Sequence, residues 1–278
     1  MENDAQVNGR FQADGYYLNT TQPSLTRIFD YLTGGFTNFE VDRIEAKKML
    51  QSFPLLQTWV RLGKAFIQEA VKQLYQEGFV QFLDIGSSIP SEEGIHTFAP
   101  AANIIYTDIN PIAVSFGNSL YSKIQNVEYI HGDARNVTDI FEAPKTKELV
   151  NQSEKLAIGL NFLLLYLSPQ ENQYLAKSLF EQASYGSKVF QILYPRSVGE
   201  FDPEYIKFQE MIQQANMRMN LYKLDEYIEM MHPWVPVRIE PVHQFLGLPE
   251  GSLDTTIEDT LGLGYTAAFF EKKNTESE

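Results

Sequence analysis

The stretch that decides the fold is Val80-Gln81-Phe82-Leu83-Asp84-Ile85-Gly86-Ser87-Ser88. It is a short apolar run that ends at a glycine, which is typical of a buried parallel strand. Similar runs follow at about 103–108, 127–131, 156–160 and 188–193, with helix-compatible stretches between most of them. Alternating strands and helices at this spacing predict an α/β fold with a doubly wound parallel sheet and right-handed crossovers.

Three helix-like stretches precede this first strand. Apolar residues at helical spacing predict helices over about 23–33, 39–51 and 58–77, and Gly34-Gly35 ends the first of them. Residues 1–22 are polar and show no period, so they predict a flexible arm.

After the fifth strand, the pattern predicts a helical stretch over about 203–231 and two more strands, 239–246 and 265–271. Five methionines within 211–231 favour a core face or a dimer contact, with a lid over a substrate as the alternative. The expected parts are an arm (1–22), an N-terminal helical cap (23–79), a sheet domain (80–272) with a helical lid or insertion at about 200–231, and a tail (273–278).

The composition narrows the class of protein. The chain has 22 basic and 36 acidic residues, a net charge of −14, which opposes a nucleic-acid partner. No apolar run reaches the roughly 18 residues that span a bilayer, and the polar N-terminus is neither a signal nor a transit peptide, so we expect a cytoplasmic protein away from membranes. The chain has no cysteine and its four histidines lack a ligand spacing, so we expect no metal site.

Acidic residues follow three of the predicted strands. Asp84, Asp108 and Asp133 lie at or just after the strand ends, where ligands of open α/β sheets bind. Each aspartate alone could simply cap the next helix. Together they favour a cationic ligand with a ribose, such as S-adenosylmethionine (SAM), because carboxylates accept hydrogen bonds from hydroxyls and amines.

A nicotinamide dinucleotide is disfavoured at the same loop. Its binding loop needs G-x-G-x-x-G to hold the pyrophosphate, and only Gly86 is present here. Glu92 and Glu93 follow and would repel phosphate.

These motifs resemble those of class I SAM-dependent methyltransferases. The N-terminal part resembles the signature of one bacterial S-adenosyl methyltransferase family, formerly known as a domain of unknown function. The matching residues are Pro23-Ser24, Arg27, Asp30-Tyr31-Leu32, Gly34-Gly35, Asn38-Phe39 and Asp42-Arg43. The resemblance covers about residues 23–272. It implies a Rossmann-like sheet of seven strands, the last two a hairpin, with the N-terminal helices folded over the SAM site.

The chain departs from the family pattern at three places. Gly86-Ser87-Ser88 stands where the family usually has Gly-Thr-Gly, which we expect to stiffen the loop. Leu165, beside Tyr166, replaces a histidine that the family often carries after strand four. Gly63-Lys64 replaces an Asn-Arg pair of the third helix. No general base is evident from the sequence.

The resemblance and the strand ends together assign candidate residues. Those for the cofactor are Tyr31, Gly34, Gly35, Asp84, Ile85, Gly86, Ser87, Asp108, Ile109, Asn110, Asp133, Ala134, Asn161 and Phe162. Those for the substrate are Arg27, Tyr166, Tyr194 and His243. The alternatives stay open: Arg27 can form a surface ion pair, Phe162 can begin a buried helix, and His243 can lie in the core rather than face the cleft from strand six.

The predicted function is transfer of the methyl group of SAM to a small-molecule acceptor by in-line displacement, in which the protein aligns the reactants and excludes water. The alternative is a SAM-binding protein of the same fold without turnover. The acceptor, the methylated atom and a homodimer are left open by the sequence.

Overall fold

The computed structural model describes residues 10–13, 16–52, 54, 56–91, 93–196, 203–214, 219–249 and 265–274. The first elements are two antiparallel strands, β1 (Arg10–Ala13) and β2 (Tyr16–Asn19). This hairpin lies where the sequence predicts a flexible arm. Its strands contact a helix about 100 residues later in the chain, which a local sequence pattern cannot show.

Three helices form the N-terminal cap, as predicted. They are α1 (Leu25–Leu32), α2 (Glu40–Ser52) and α3 (Leu56–Gln76). The apolar stripe of α3 is buried from Trp59 to Leu74 and packs on the sheet, so the cap shares the core of the sheet.

Five parallel strands form most of the sheet. They are β3 (Gln81–Ile85), β4 (Asn103–Asp108), β5 (Val127–His131), β6 (Ala157–Gly159) and β7 (Lys188–Leu193). The helices between them are α4 (Pro111–Tyr121), α5 (Val137–Glu142), α6 (Pro144–Leu149) and α7 (Pro169–Gln182). Short 3₁₀ turns cover Ile95–Thr97 and Leu163–Tyr166.

The C-terminal part adds α8 (Pro203–Gln214), α9 (Leu224–Met230), β8 (Val235–Pro241), α10 (Val242–Phe245) and β9 (Thr266–Glu271). The strand order is β5-β4-β3-β6-β7-β9-β8, with β9 antiparallel to both of its neighbours. This is the predicted seven-stranded methyltransferase sheet that ends in a hairpin. In the part of the chain that the structure describes, no helix is long and apolar enough to cross a membrane.

Two C-terminal predictions are wrong in detail. The strand predicted over 239–246 begins earlier and ends at Pro241, and the residues after it form α10, whose Val242 and Phe245 are buried at a helical spacing of three. The helical stretch predicted over 203–231 is interrupted, because residues 219–223 are not helical. The apolar run after Pro241 fits either periodicity, and packing selects the helix.

Candidate functional site

A cavity of about 550 Å³ lies at the carboxyl ends of the central strands. The order β5-β4-β3-β6-β7 places the point where the strand order reverses between β3 and β6, where a crevice opens in such sheets. One wall consists of the strand ends and the loops that follow them. The opposite wall consists of the faces of α1 and α3.

Eleven of the predicted residues line this cavity. They are Asp84, Ile85, Gly86, Ser87, Asp108, Ile109, Asp133, Ala134, Asn161, Phe162 and Tyr166. Tyr31, Gly34, Gly35, Asn110, Arg27, Tyr194 and His243 are not part of its lining.

The loop after β3 contains the position of the missing glycine. Gly86 has a φ of +76°, and Ser88, two residues later, has a φ of +66°. Ser88 therefore adopts the left-handed conformation that a glycine would adopt without strain. Its N–H donates to Asp108 Oδ2 at 2.8 Å, so this conformation ties the loop to the end of the neighbouring strand.

Three tyrosines with neighbouring rings form hydrogen bonds to the backbone of this loop and of the turn after it, and the sequence interpretation missed them. Tyr129 Oη donates to the Ser88 carbonyl, Tyr121 Oη donates to the Ser91 carbonyl at 2.9 Å, and Tyr106 Oη accepts from the His96 N–H at 3.1 Å. Tyr106 and Tyr129 are register partners on β4 and β5, and their rings stack 5.7 Å apart. Tyr106 and Tyr129 each lie two residues before the end of a predicted strand, and this shared position is the sequence signal that could have identified them.

The three carboxylates differ in their surroundings. Burial, together with the nearby charge of Asp108, raises the pKa of Asp84 to about 6 against a hydrogen bond from Ser87. Burial also raises the pKa of Asp108, although that carboxylate accepts the N–H groups of Asn110 and Ser88. Asp133 instead forms an ion pair with Arg135 at 2.7 Å, whose hydrogen bonds lower the pKa of Asp133.

Asn161 and Asp84 share the space above Gly159. A Cβ at residue 159 would lie 2.5 Å from Asp84 Oδ1 and 3.2 Å from Asn161 Nδ2, so only glycine leaves both groups in place. Asn161 Oδ1 accepts from the Ile192 N–H at 3.3 Å. Its buried Nδ2 has no hydrogen-bond partner among the described residues. Asp84 forms no ion pair with them either.

A family model described as S-adenosyl methyltransferase matches residues 12–234 of this chain. The chain belongs to the S-adenosyl methyltransferase family. It is a SAM-dependent methyltransferase, and its cofactor is SAM. No curated protein sequence matches the chain.

Solved structures share the fold of this methyltransferase. A predicted methyltransferase from Thermobifida fusca YX is 25% identical, with a TM-score of 0.78 over 91% of this chain and 96% of that one. A DUF574 family protein from Streptomyces avermitilis MA-4680 is 22% identical, with a TM-score of 0.78 over 91% and 98% of the two chains. The geranyl diphosphate C-methyltransferase of Streptomyces coelicolor A3(2) is 13% identical, with a TM-score of 0.51 over 73% and 77%.

The cavity fits the cofactor of the family. Asp84 and Asp108 place two carboxylates with raised pKa values at one wall. A cationic ligand relieves the cost of burying such charge. The unpartnered Asn161 Nδ2 offers a hydrogen bond beside them. The lining thus contains hydrogen-bond acceptors and a donor of the kinds that the hydroxyl, ammonium and carboxylate groups of SAM require.

The family signature lies mostly outside the cavity, because it joins α1 to α2. Arg27 is buried and pairs with Asp42 at 2.7 Å, where the sequence suggested a substrate contact or a surface ion pair. Asp42 also accepts the N–H groups of Ser24 and Phe39. The structure therefore corrects the interpretation of Arg27: its partner is a carboxylate of the protein itself.

The glycine pair of the signature has a related structural role. Gly34 has a φ of +84°, and a Cβ on Gly35 would lie 2.0 Å from Asp30 Oδ1. Asp30 accepts hydrogen bonds from the Thr37 N–H and the Asn38 side chain, both at 2.8 Å. The turn after α1 is thereby fixed. The cavity is also lined by residues of α1 and its C-cap that the sequence interpretation did not assign to the site: Leu25, Thr26, Phe29, Asp30 and Thr33.

The remaining predicted residues have other environments. Asn110 caps α4, since its Oδ1 accepts from the Ile112 N–H at 3.0 Å. His243 lies in α10 rather than in a strand, away from the cavity lining. Tyr194 is fully buried, and its ring stacks on that of Phe162 with centroids 5.3 Å apart.

Proposed function

We propose that this methyltransferase transfers the methyl group to a small-molecule acceptor that binds in the same cavity as SAM. The observation that supports this proposal is that the strand-end carboxylates and the faces of α1 and α3 enclose one common volume. Its size, about 550 Å³, is within the range of small-molecule sites. The net charge of −14 supports a small acceptor over a nucleic acid.

Each group of the cofactor has a candidate partner in this proposal. Asp84 and Asn161 would hold the charged amino-acid end, and Asp108 would accept hydrogen bonds from the ribose hydroxyls. Asp133 and Ala134 would hold the adenine. Gly86 would let the backbone approach the ligand, because it has a φ of +76° and no side chain. A Cβ there would lie 3.1 Å from Leu163 Cδ1, which also lines the cavity.

The acceptor would lie against the helical wall. Leu25, Phe29, Val60 and Ile67 offer apolar contacts there, and Tyr166 lines the same space from the turn after β6. Asp30, Lys64 and Gln68 line the same wall, so the lining suits a molecule with a large apolar part and a polar substituent.

Bound SAM supplies a methyl group on a positively charged sulfur. The protein would align the acceptor for in-line displacement and exclude water from it. Phe29 and Phe162, with ring centroids 5.9 Å apart, bring the cap and the strand-end wall together. Their contact supports a closed, dry site around the reacting atoms.

The test is calorimetric titration of SAM and of its demethylated product into the wild type and Asp108→Asn. We expect micromolar binding by the wild type and a loss of at least tenfold in the variant, because an amide is a weaker hydrogen-bond acceptor than a carboxylate. Glu148→Gln, on the exposed surface of α6, is the matched control. Unchanged affinity in Asp108→Asn would refute the ribose assignment. Transfer of tritiated methyl groups to RNA but to no small molecule would refute the acceptor class.

A further inference from the structure

Phe162 lies at the boundary between the cavity and the core behind it. Its ring lines the cavity and also stacks on the buried Tyr194. Its φ is +62°, a left-handed conformation that is a genuine outlier for a bulky side chain. Backbone strain of this kind persists only where the surroundings enforce it, and it clusters at functional sites.

The tip of the Phe162 ring occupies a notch in α3. A Cβ at Gly63 would lie 2.2 Å from Phe162 Cζ and 3.0 Å from Tyr194 Oη. The notch therefore exists because residue 63 is a glycine. The ring tip and the tyrosine hydroxyl meet at this one point of the helix.

The Tyr194 hydroxyl has no hydrogen-bond partner among the residues that the structure describes, and its side chain is fully buried. Such a group is rare because the lost hydration is not replaced. Burial, reinforced by the nearby hydroxyls of Tyr265, Tyr227 and Tyr166, raises the pKa of Tyr194 well above its usual value. The hydroxyl is therefore a protonated donor at neutral pH, and one of its electrostatic neighbours, Tyr166, lines the cavity.

We propose that the Phe162 ring is a movable plug, and that the space it vacates is a subsite for the aromatic part of the methyl acceptor. In this subsite the Tyr194 hydroxyl donates a hydrogen bond to an oxygen substituent of the acceptor. The inference rests on the proposed function, which places the acceptor in this cavity.

The walls of the subsite select a flat ring. The Trp59 and Tyr194 ring centroids are 4.3 Å apart, and the Phe29 ring lies 5.9 Å from that of Phe162. Removing the Phe162 ring leaves a space that an aromatic ring of the same size fills, with aromatic neighbours already placed for stacking. The single polar group at its end discriminates between a ring with oxygen and one without.

The experiment uses phenol and toluene as probes, because they match in shape and differ in the oxygen. Ligand-detected NMR would give the affinities for the wild type, Tyr194→Phe, Phe162→Ala and the double variant. We expect both probes to bind Phe162→Ala more tightly than the wild type. Loss of the hydroxyl should weaken phenol binding about three- to tenfold in both backgrounds and leave toluene binding unchanged.

Two further variants serve as a control and as a replacement for Phe162→Ala. Tyr174→Phe, at an exposed tyrosine of α7, should change neither probe. Phe162→Gly accepts the φ of +62° without strain and replaces Phe162→Ala if that variant does not fold. Equal phenol affinity with and without the Tyr194 hydroxyl in a plug-free background would overturn the subsite. Hydroxyl-dependent binding in that background alone, and not in the wild type, would overturn the movable plug.

Calorimetry with SAM on the wild type separates this inference from the proposed function. If the wild type does not bind SAM, the proposed function fails. If it binds SAM and the probes show no dependence on the Tyr194 hydroxyl, only the acceptor subsite fails.

Discussion

The two walls of the cavity handle charge in opposite ways. At the strand-end wall, Asp84 and Asp108 line the cavity, and burial raises their pKa values. On the helical side, the buried charges of Arg27 and Asp42 neutralise each other between α1 and α2, outside the cavity lining. The charged residues that do line this wall have protein partners: Lys64 pairs with Glu93, and Asp30 accepts the Thr37 N–H. Both walls carry recognisable sequence motifs, yet the strand-end motif points to a ligand, whereas most of the helical motif holds the scaffold.

The largest expected effect comes from breaking the buried ion pair between α1 and α2. Asp42→Ala leaves the Arg27 guanidinium buried without its carboxylate, and it removes the acceptor for the Ser24 and Phe39 N–H groups. We expect the free energy of unfolding to fall by about 3–5 kcal/mol, measured by urea denaturation.

Glu40→Ala removes the partner of Arg43 in an exposed ion pair of the same helix and serves as the control. It should cost less than about 1 kcal/mol. Equal losses in the two variants would show that the buried pair contributes no more than a surface one, and the contrast between the walls would fail.

The second prediction concerns the strand-end wall, where removing a charge should stabilise the protein. Asp84→Asn eliminates a carboxylate whose pKa is raised from 3.8 to about 6. The gain at pH 8 should be about 3 kcal/mol without ligand, since each pKa unit corresponds to roughly 1.4 kcal/mol. SAM affinity should fall at least tenfold in the same variant, because the cationic end loses its counter-charge.

The dependence of stability on pH follows from the direction in which the pKa of Asp84 is shifted. Between pH 4 and pH 6 the folded protein holds a proton on Asp84 that the unfolded chain has released, so this contribution to stability is lost as the pH rises through about 6. In the proposed site the ionised form of Asp84 binds the ammonium group of SAM, so affinity should rise over the same interval. Thermal melts and titrations from pH 5 to pH 8 would measure both trends. A flat difference between wild type and Asp84→Asn across this range would contradict the assigned pKa.

Sequence reasoning succeeded where a local pattern carries the information. The strands 103–108, 127–131 and 188–193 were predicted to the residue, and the strand-end aspartates do line one cavity. It failed where the deciding partner is distant in the chain. Tyr121 and Ser91 are 30 residues apart, and nothing local to Tyr121 marks it as a support for the loop.

The signature region shows the same limit at shorter range. Arg27 and Asp42 are 15 residues apart, and the same two residues fit either a ligand site or an internal ion pair. Only their burial decides between these readings. The hairpin at β1 and β2 was missed because its contact with α4 is tertiary.

The smallest expected effect is that of a substitution at Ser88, in the loop of the strand-end wall. Its left-handed φ of +66° costs a non-glycine residue about 1–2 kcal/mol, while a glycine there loses about 0.5–1 kcal/mol of chain entropy on folding. Ser88→Gly should therefore stabilise the protein by up to about 1 kcal/mol, measured by urea denaturation. Gly34→Ala, at a φ of +84° in the turn after α1, should destabilise it by about the same amount. Because the Ser88 N–H and carbonyl bonds to Asp108 and Tyr129 are backbone bonds, they survive the change, and SAM affinity should stay within threefold. A Ser88→Gly variant that gained stability but lost SAM binding would show that the strain itself holds Asp108 in position.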